Sequence, residues 1–144
     1  MTLPDVNVLV QAFRADTADH ERCRRWLEGV VNGESRYGMS PQVLGAVVRV
    51  ATHPKVFRQP SDLDEVLGYG DALLARPNCV VIQPGETHWA IFARLCREAE
   101  ARGNLVPDAW FAALAIEAGC QWVTLDRDYA RFPGLNWRTP DLRT

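Results

Sequence analysis

The chain lacks any paired-cysteine pattern. Its four cysteines, Cys23, Cys79, Cys96 and Cys120, form no C-x-x-C unit. A disulfide framework therefore has no support, and a reducing, cytoplasmic setting is expected. Cys79 and Cys120 fall in apolar, strand-like stretches and are expected in the core. Histidine is also scarce: His20, His53 and His88 share no ligand spacing and are read as structural or surface groups. No G-x-G-x-x-G or Walker sequence occurs, so nucleotide-cofactor folds lose support. No apolar run is long enough to span a bilayer, and no leader-like start is seen. Repeats and low-complexity tracts are absent. There is no excess of basic charge either, since the net charge is −2; a global field for nucleic acid is excluded. The charge is uneven, however. Between His20 and Pro60 there are seven Lys/Arg against three acids, which reads either as a local basic face or as a solvated helix surface.

What is present is an ordinary globular composition, 47% hydrophobic and 24% charged over 144 residues. That predicts one domain, residues 1–144, with a sizeable core. Short apolar runs alternate with helical patterns. Leu3 to Val10 reads as a minimal strand breaking at Asp5 into a helix that reaches about Arg14. His20 to Val31 is a second helix, with Cys23, Trp26 and Leu27 on one side. Arg36 to Met39 reads as a strand. Ser40-Pro41 is a cap followed by proline at the first helical position, opening a helix that closes near His53-Pro54. Ser61 is expected to cap a helix from Asp62 to Ala75. Cys79 to Ile82 reads as a buried strand, and a helix to about Arg102 should turn Trp89, Phe92 and Leu95 inward. Ala109 to Ala118 is apolar on nearly every face and is stopped by Gly119. Gln121 to Leu125 is a buried strand, and a last strand falls near Asn136 to Arg138. Strands separated by helices point to βαβ units and a mostly parallel sheet covered on both faces.

The chemistry lies in the aspartates. Asp5 and Asp126 follow predicted strands, Asp108 opens a helix, and Asp128 comes two residues after Asp126. Parallel strands place their carboxyl ends on one sheet edge, where ligands bind. The four carboxylates are thus expected to converge. Like charges in one pocket either hold protons or neutralise a cation. Oxygen donors without nearby His or Cys favour Mg²⁺ or Mn²⁺. The alternative use of each is local: Asp126 and Asp128 as turn caps, and Asp108 as a helix-start charge. Asp5, flanked by Leu3, Val6 and Val8, needs partners whatever its role.

These residues in this order resemble a known family. Asp5-Val6-Asn7, then Pro107-Asp108-Ala109 with Ala112-Ala113 and Gly119, then Thr124-Leu125-Asp126-Arg127-Asp128-Tyr129 before Phe132-Pro133-Gly134 look like a PIN domain. Arg49 with Thr52-His53-Pro54 resembles the VapC-type toxins of bacterial toxin–antitoxin pairs. The resemblance implies a three-layer α/β/α sandwich. It also implies a metal-dependent endoribonuclease, neutralised by a VapB-type antitoxin that would lay an apolar helix into a groove. Asp5, Asp108 and Asp126 then match the metal ligands, Asp128 a further acid, and Asn7 and Thr124 polar supports. A homodimer is expected. One departure stands out: the family's usual Glu on the helix after the second strand falls on Gly45 or Ala46, and no acid lies between Ser40 and His53. Either more water holds the metal or its affinity is weak. Two other readings are kept. One is a PIN-like module that has lost catalysis and only binds RNA or antitoxin. The other is a Mg²⁺-dependent phosphatase, for which Asn7 replaces the second acid of the usual D-x-D.

Overall fold

The computed structural model describes residues 1–141. Its first strand, β1 (Thr2–Pro4), hands directly over to helix α1 (Val6–Phe13) at Asp5, the N-cap. Helix α2 (His20–Val31) follows, then β2 (Tyr37–Met39) and α3 (Pro41–Ala51). Ser40 caps α3, its hydroxyl oxygen accepting from the amides of Gln42 and Val43. Then come α4 (Leu63–Ala75), β3 (Cys79–Val81), α5 (His88–Glu98) and α6 (Leu105–Ala118). Gly119, at φ 67°, closes α6 in the left-handed conformation that glycine adopts without steric cost. The chain ends through β4 (Gln121–Val123), a 3₁₀ turn (Arg127–Arg131) and β5 (Trp137–Arg138).

All strand pairings are parallel. One sheet runs β1-β4-β5 and the other β2-β3. They meet at β2, where Gly38 lies so close to β1 that an added Cβ would stand 3.3 Å from the Thr2 carbonyl oxygen. Helices cover both faces of these strands, giving the three-layer α/β/α sandwich with a parallel sheet. The core is continuous, from Leu3, Val8 and Leu9 through Val43 and Val47 to Leu114 and Trp122. No helix among the described residues is long and apolar enough to cross a membrane.

Three local expectations are corrected. Asp62, not Ser61, caps α4 through the amide of Glu65; the Ser61 hydroxyl instead accepts from the Arg14 guanidinium. Strand β3 is an edge strand paired only with β2, so Val81 is 50% exposed and Cys79 half-buried. Helix α5 ends at Glu98 and turns Trp89 outward, 67% exposed. His88 takes the inward place: its Nε2 lies 3.0 Å from the Trp110 carbonyl oxygen. His88 and Leu95 are buried two turns apart, and Trp89 is rotated off that face by one residue.

Candidate active site

The parallel register of β1 and β4 sets Pro4 opposite Val123. The next pair along is Asp5 and Thr124, both buried. The Asp5 amide continues the ladder by donating to the Val123 carbonyl (2.8 Å). The Asp5 carboxylate then meets three donors. Oδ1 accepts from the Val6 amide at 2.6 Å, and Oδ2 accepts from the Thr124 hydroxyl at 2.7 Å and the Asn7 amide group at 3.2 Å. Asn7 is fixed in turn, its side-chain oxygen accepting from the Leu125 amide. The Thr124 oxygen also accepts from the amides of Asp126 and the Asn7 side chain. One hydroxyl thus orients Asp5 and holds the backbone that carries Asp126.

Asp108 reaches the same place from the first turn of α6, and its Oδ1 accepts from the Tyr129 hydroxyl at 3.2 Å. Asp5, Asp108 and Asp126 line one cleft of about 470 Å³, together with Asn7. Asp128 does not line it; this exposed side chain acts on Asp108 through its charge. Asp126 serves twice, since its Oδ1 also accepts from the Asp128 amide and caps the 3₁₀ turn. The sequence reading overlooked Tyr129 as a contact to Asp108. A tyrosine buried beside carboxylates must find a partner for its hydroxyl, and that was the available signal.

The cleft strains its own charge. Burial, reinforced by the charges of Asp108 and Asp126, pushes Asp5 up to about 7 despite the hydrogen bonds from Thr124 and Val6. Asp108 is pushed up to about 6, by burial first and then by Asp126 and Asp128. A divalent cation would relieve this repulsion, and the all-oxygen donor set suits a hard ion. Among the described residues, however, no three His, Cys, Asp or Glu side chains come close enough to encircle one ion. The set therefore fits an ion that keeps much of its water, as Mg²⁺ does with one or two direct carboxylates.

Helix α3 also lines the cleft. Ala46 and Arg49 face the cleft, whereas Gly45 faces a separate apolar groove against α4. Ala46 is thus the cleft-facing member of the Gly45/Ala46 pair. A larger hollow, about 760 Å³, lies between α2 and the C-terminal segment and carries Arg22, Arg25 and Arg138. Its two acids, Glu21 and Asp141, are paired with Arg24 and Arg22, so the smaller cleft, with its three carboxylates, is the candidate site.

The chain matches the PIN domain family over residues 2–135. It is 41% identical over 140 residues to the VapC ribonuclease Mb2897 of Mycobacterium bovis, covering 97% of this chain and 95% of that one. It is 35% identical to ribonuclease VapC31 of Mycobacterium tuberculosis over 142 residues, 99% of this chain and all of the other. Among solved structures it resembles VapBC2 from Rickettsia felis bound to a promoter DNA fragment, with TM-score 0.72, 19% identity, and coverage of 97% and 98% of the two chains. It also resembles Mycobacterium tuberculosis VapC20, a toxin that cleaves the sarcin-ricin loop, with TM-score 0.64, 16% identity, and coverage of 90% and 93%.

Proposed function

Because the chain belongs to the PIN-domain family, we propose that it is a VapC-type endoribonuclease toxin, held inactive by a VapB-type antitoxin and acting on RNA in the cytoplasm. The phosphatase reading falls with the family assignment. The observation that carries the proposal is the convergence of Asp5, Asp108 and Asp126, from two strand ends and a helix start, on one cleft.

In this reading, Asp5, Asp108 and Asp126 hold Mg²⁺ or Mn²⁺, in part through water. When bound, such an ion supplies Lewis-acid polarisation of a phosphodiester and a water of lowered pKa. The chain's own residues do the rest. Asn7, Thr124 and the Val6 amide fix the Asp5 carboxylate in one orientation. The Tyr129 hydroxyl fixes Asp108. Asp128, exposed and outside the cleft lining, acts through its charge on Asp108 rather than on the attacking water. The single domain and self-association belong to the same proposal; light scattering on the isolated chain reads the latter.

The test is cleavage of RNA with Mg²⁺ or Mn²⁺ present and then chelated, by the wild type and by Asp5→Asn and Asp108→Asn. Losses of at least about 100-fold are expected, above what removal of a mere supporting partner costs. Unchanged cleavage by either variant refutes the assignment. Divalent-ion binding by calorimetry without any cleavage would leave the binding module, for which the absence of an acid at Ala46 is the favouring feature.

A further inference from the structure

We propose that Arg49 is the substrate-positioning residue of the cleft, holding through its guanidinium a phosphodiester adjacent to the one that is cut. This rests on the reading of the cleft as an RNA-cleaving site. Three carboxylates line the cleft, and each repels the polyanion that must enter it. A strand can settle there only if another wall attracts it. Among the residues that line the cleft, Arg49 is the one cationic side chain.

Its surroundings leave it available. Arg49 is exposed and, among the described residues, makes no ion pair or side-chain hydrogen bond. That contrasts with Arg14, which is bound to Asp16, Ser61 and the Gln59 carbonyl beneath Phe57. The reason lies in α3 itself. Residues three apart on a helix are neighbours, and the position three before Arg49 on the cleft side is Ala46. An acid at that position would pair with the guanidinium; alanine leaves it unpaired and leaves room beside it. The helix that presents Arg49 is rigidly seated, with Val43, Val47 and Ala51 buried and Ser40 capping its start. An arginine fork matches a phosphate's oxygens two at a time, in a way a lysine ammonium does not.

The experiment compares wild type, Arg49→Ala, Arg49→Lys and a control, Arg97→Ala, an exposed arginine on α5. Steady-state cleavage of a mixed-sequence single-stranded oligoribonucleotide gives kcat and KM. Fluorescence anisotropy of the same labelled oligonucleotide, without divalent ions, gives affinity against NaCl. Arg49→Ala is expected to raise KM roughly tenfold with kcat nearly unchanged. It should also flatten the slope of log affinity against log salt by about 0.7, the share of one phosphate contact on a single strand. Arg49→Lys should restore the salt slope but only part of KM. Arg97→Ala should change neither. An unchanged KM and slope in Arg49→Ala, or a fall in kcat with KM unchanged, overturns the assignment while the wild type still cleaves. If the wild type cleaves no RNA, the functional reading fails instead, and the anisotropy slope still decides whether Arg49 holds a phosphate.

Discussion

Thr124, buried behind the cleft, ties Asp5 to the backbone that carries Asp126. Its hydroxyl donates to Asp5 and accepts from the Asp126 amide and from Asn7. Thr124→Val keeps the shape and deletes all three bonds. Groups left buried and unpaired cost about 1–3 kcal/mol, so a lowered Tm is expected. Cleavage should fall about 10- to 100-fold, the usual cost of losing a supporting partner. Because the Thr124 bond holds the Asp5 pKa down, the pH–rate profile should also move to higher pH; a profile left in place would mean that Asp5 is not the group being tuned. Tyr129→Phe is milder. It keeps the ring against Trp122 and Phe132 and removes only the bond to Asp108, so a roughly tenfold loss of rate with little change in Tm is expected. The aspartates were legible in the sequence because acids that terminate apolar runs stand out against their neighbours. Arg49, the one charged residue of α3, and Tyr129 stand in the stretches that carry the family resemblance, but nothing local gives them a role at the site. Their significance depends on which helix face meets which turn, and that is decided by packing between distant segments.

At the scale of elements, the reading was reliable wherever a local signal and the tertiary packing agreed. Ser40-Pro41 opens α3 as expected, because a cap and a fixed proline φ act on the same turn. Gly119 closes α6 for the same kind of reason. It failed where two neighbouring residues competed for one role. Ser61 and Asp62 both can cap, and Arg14 draws Ser61 away. His88 and Trp89 are adjacent on α5, and the carbonyl of Trp110 selects His88 for the interior. The join between the two sheets was not legible at all, because it depends on a residue without a side chain. At Gly38 an added Cβ would stand 2.9 Å from the Ile82 side chain and 3.3 Å from the Thr2 carbonyl oxygen. The backbone of β1 cannot retreat without breaking its ladder to β4. Gly38→Ala is therefore expected to destabilise by about 1–3 kcal/mol, read as a lower urea midpoint. The displacement should pass into α3, which begins three residues later. A variant as stable as the wild type would show that β1 and β2 are not held at that distance.

For the whole molecule, the cleft makes stability depend on protons and on divalent ions together. The unfolded chain ionises its aspartates near the ordinary value of 3.8, whereas folded Asp5 releases its proton only near 7 and Asp108 near 6. Between about pH 4 and pH 7 the native state thus binds more protons than the unfolded state. Stability must then fall as pH rises through that window. The contribution is fully present below the unfolded value and is lost above the folded one. Exposed carboxylates held low by partners, such as Asp16 beside Arg14 and Asp141 beside Thr139 and Arg22, act in the opposite sense. They matter chiefly below the usual carboxylate range; the interval from about pH 5 to pH 8 is also where histidines ordinarily titrate, so the difference between wild type and Asp5→Asn, which share all three histidines, isolates the cleft. In chelator, Tm should fall from pH 5 to pH 8, and Asp5→Asn should fall less steeply than the wild type. A divalent ion competes with protons for the same oxygens and binds only the folded arrangement. Millimolar Mg²⁺ or Mn²⁺ should therefore raise Tm at pH 8 by clearly more than at pH 5, and Asp5→Asn should lose most of that gain. A Tm that falls as steeply in Asp5→Asn as in the wild type in chelator would mean that Asp5 is not held against burial and its neighbours' charge. An equal gain from the ion at both pH values would place it somewhere other than this cleft.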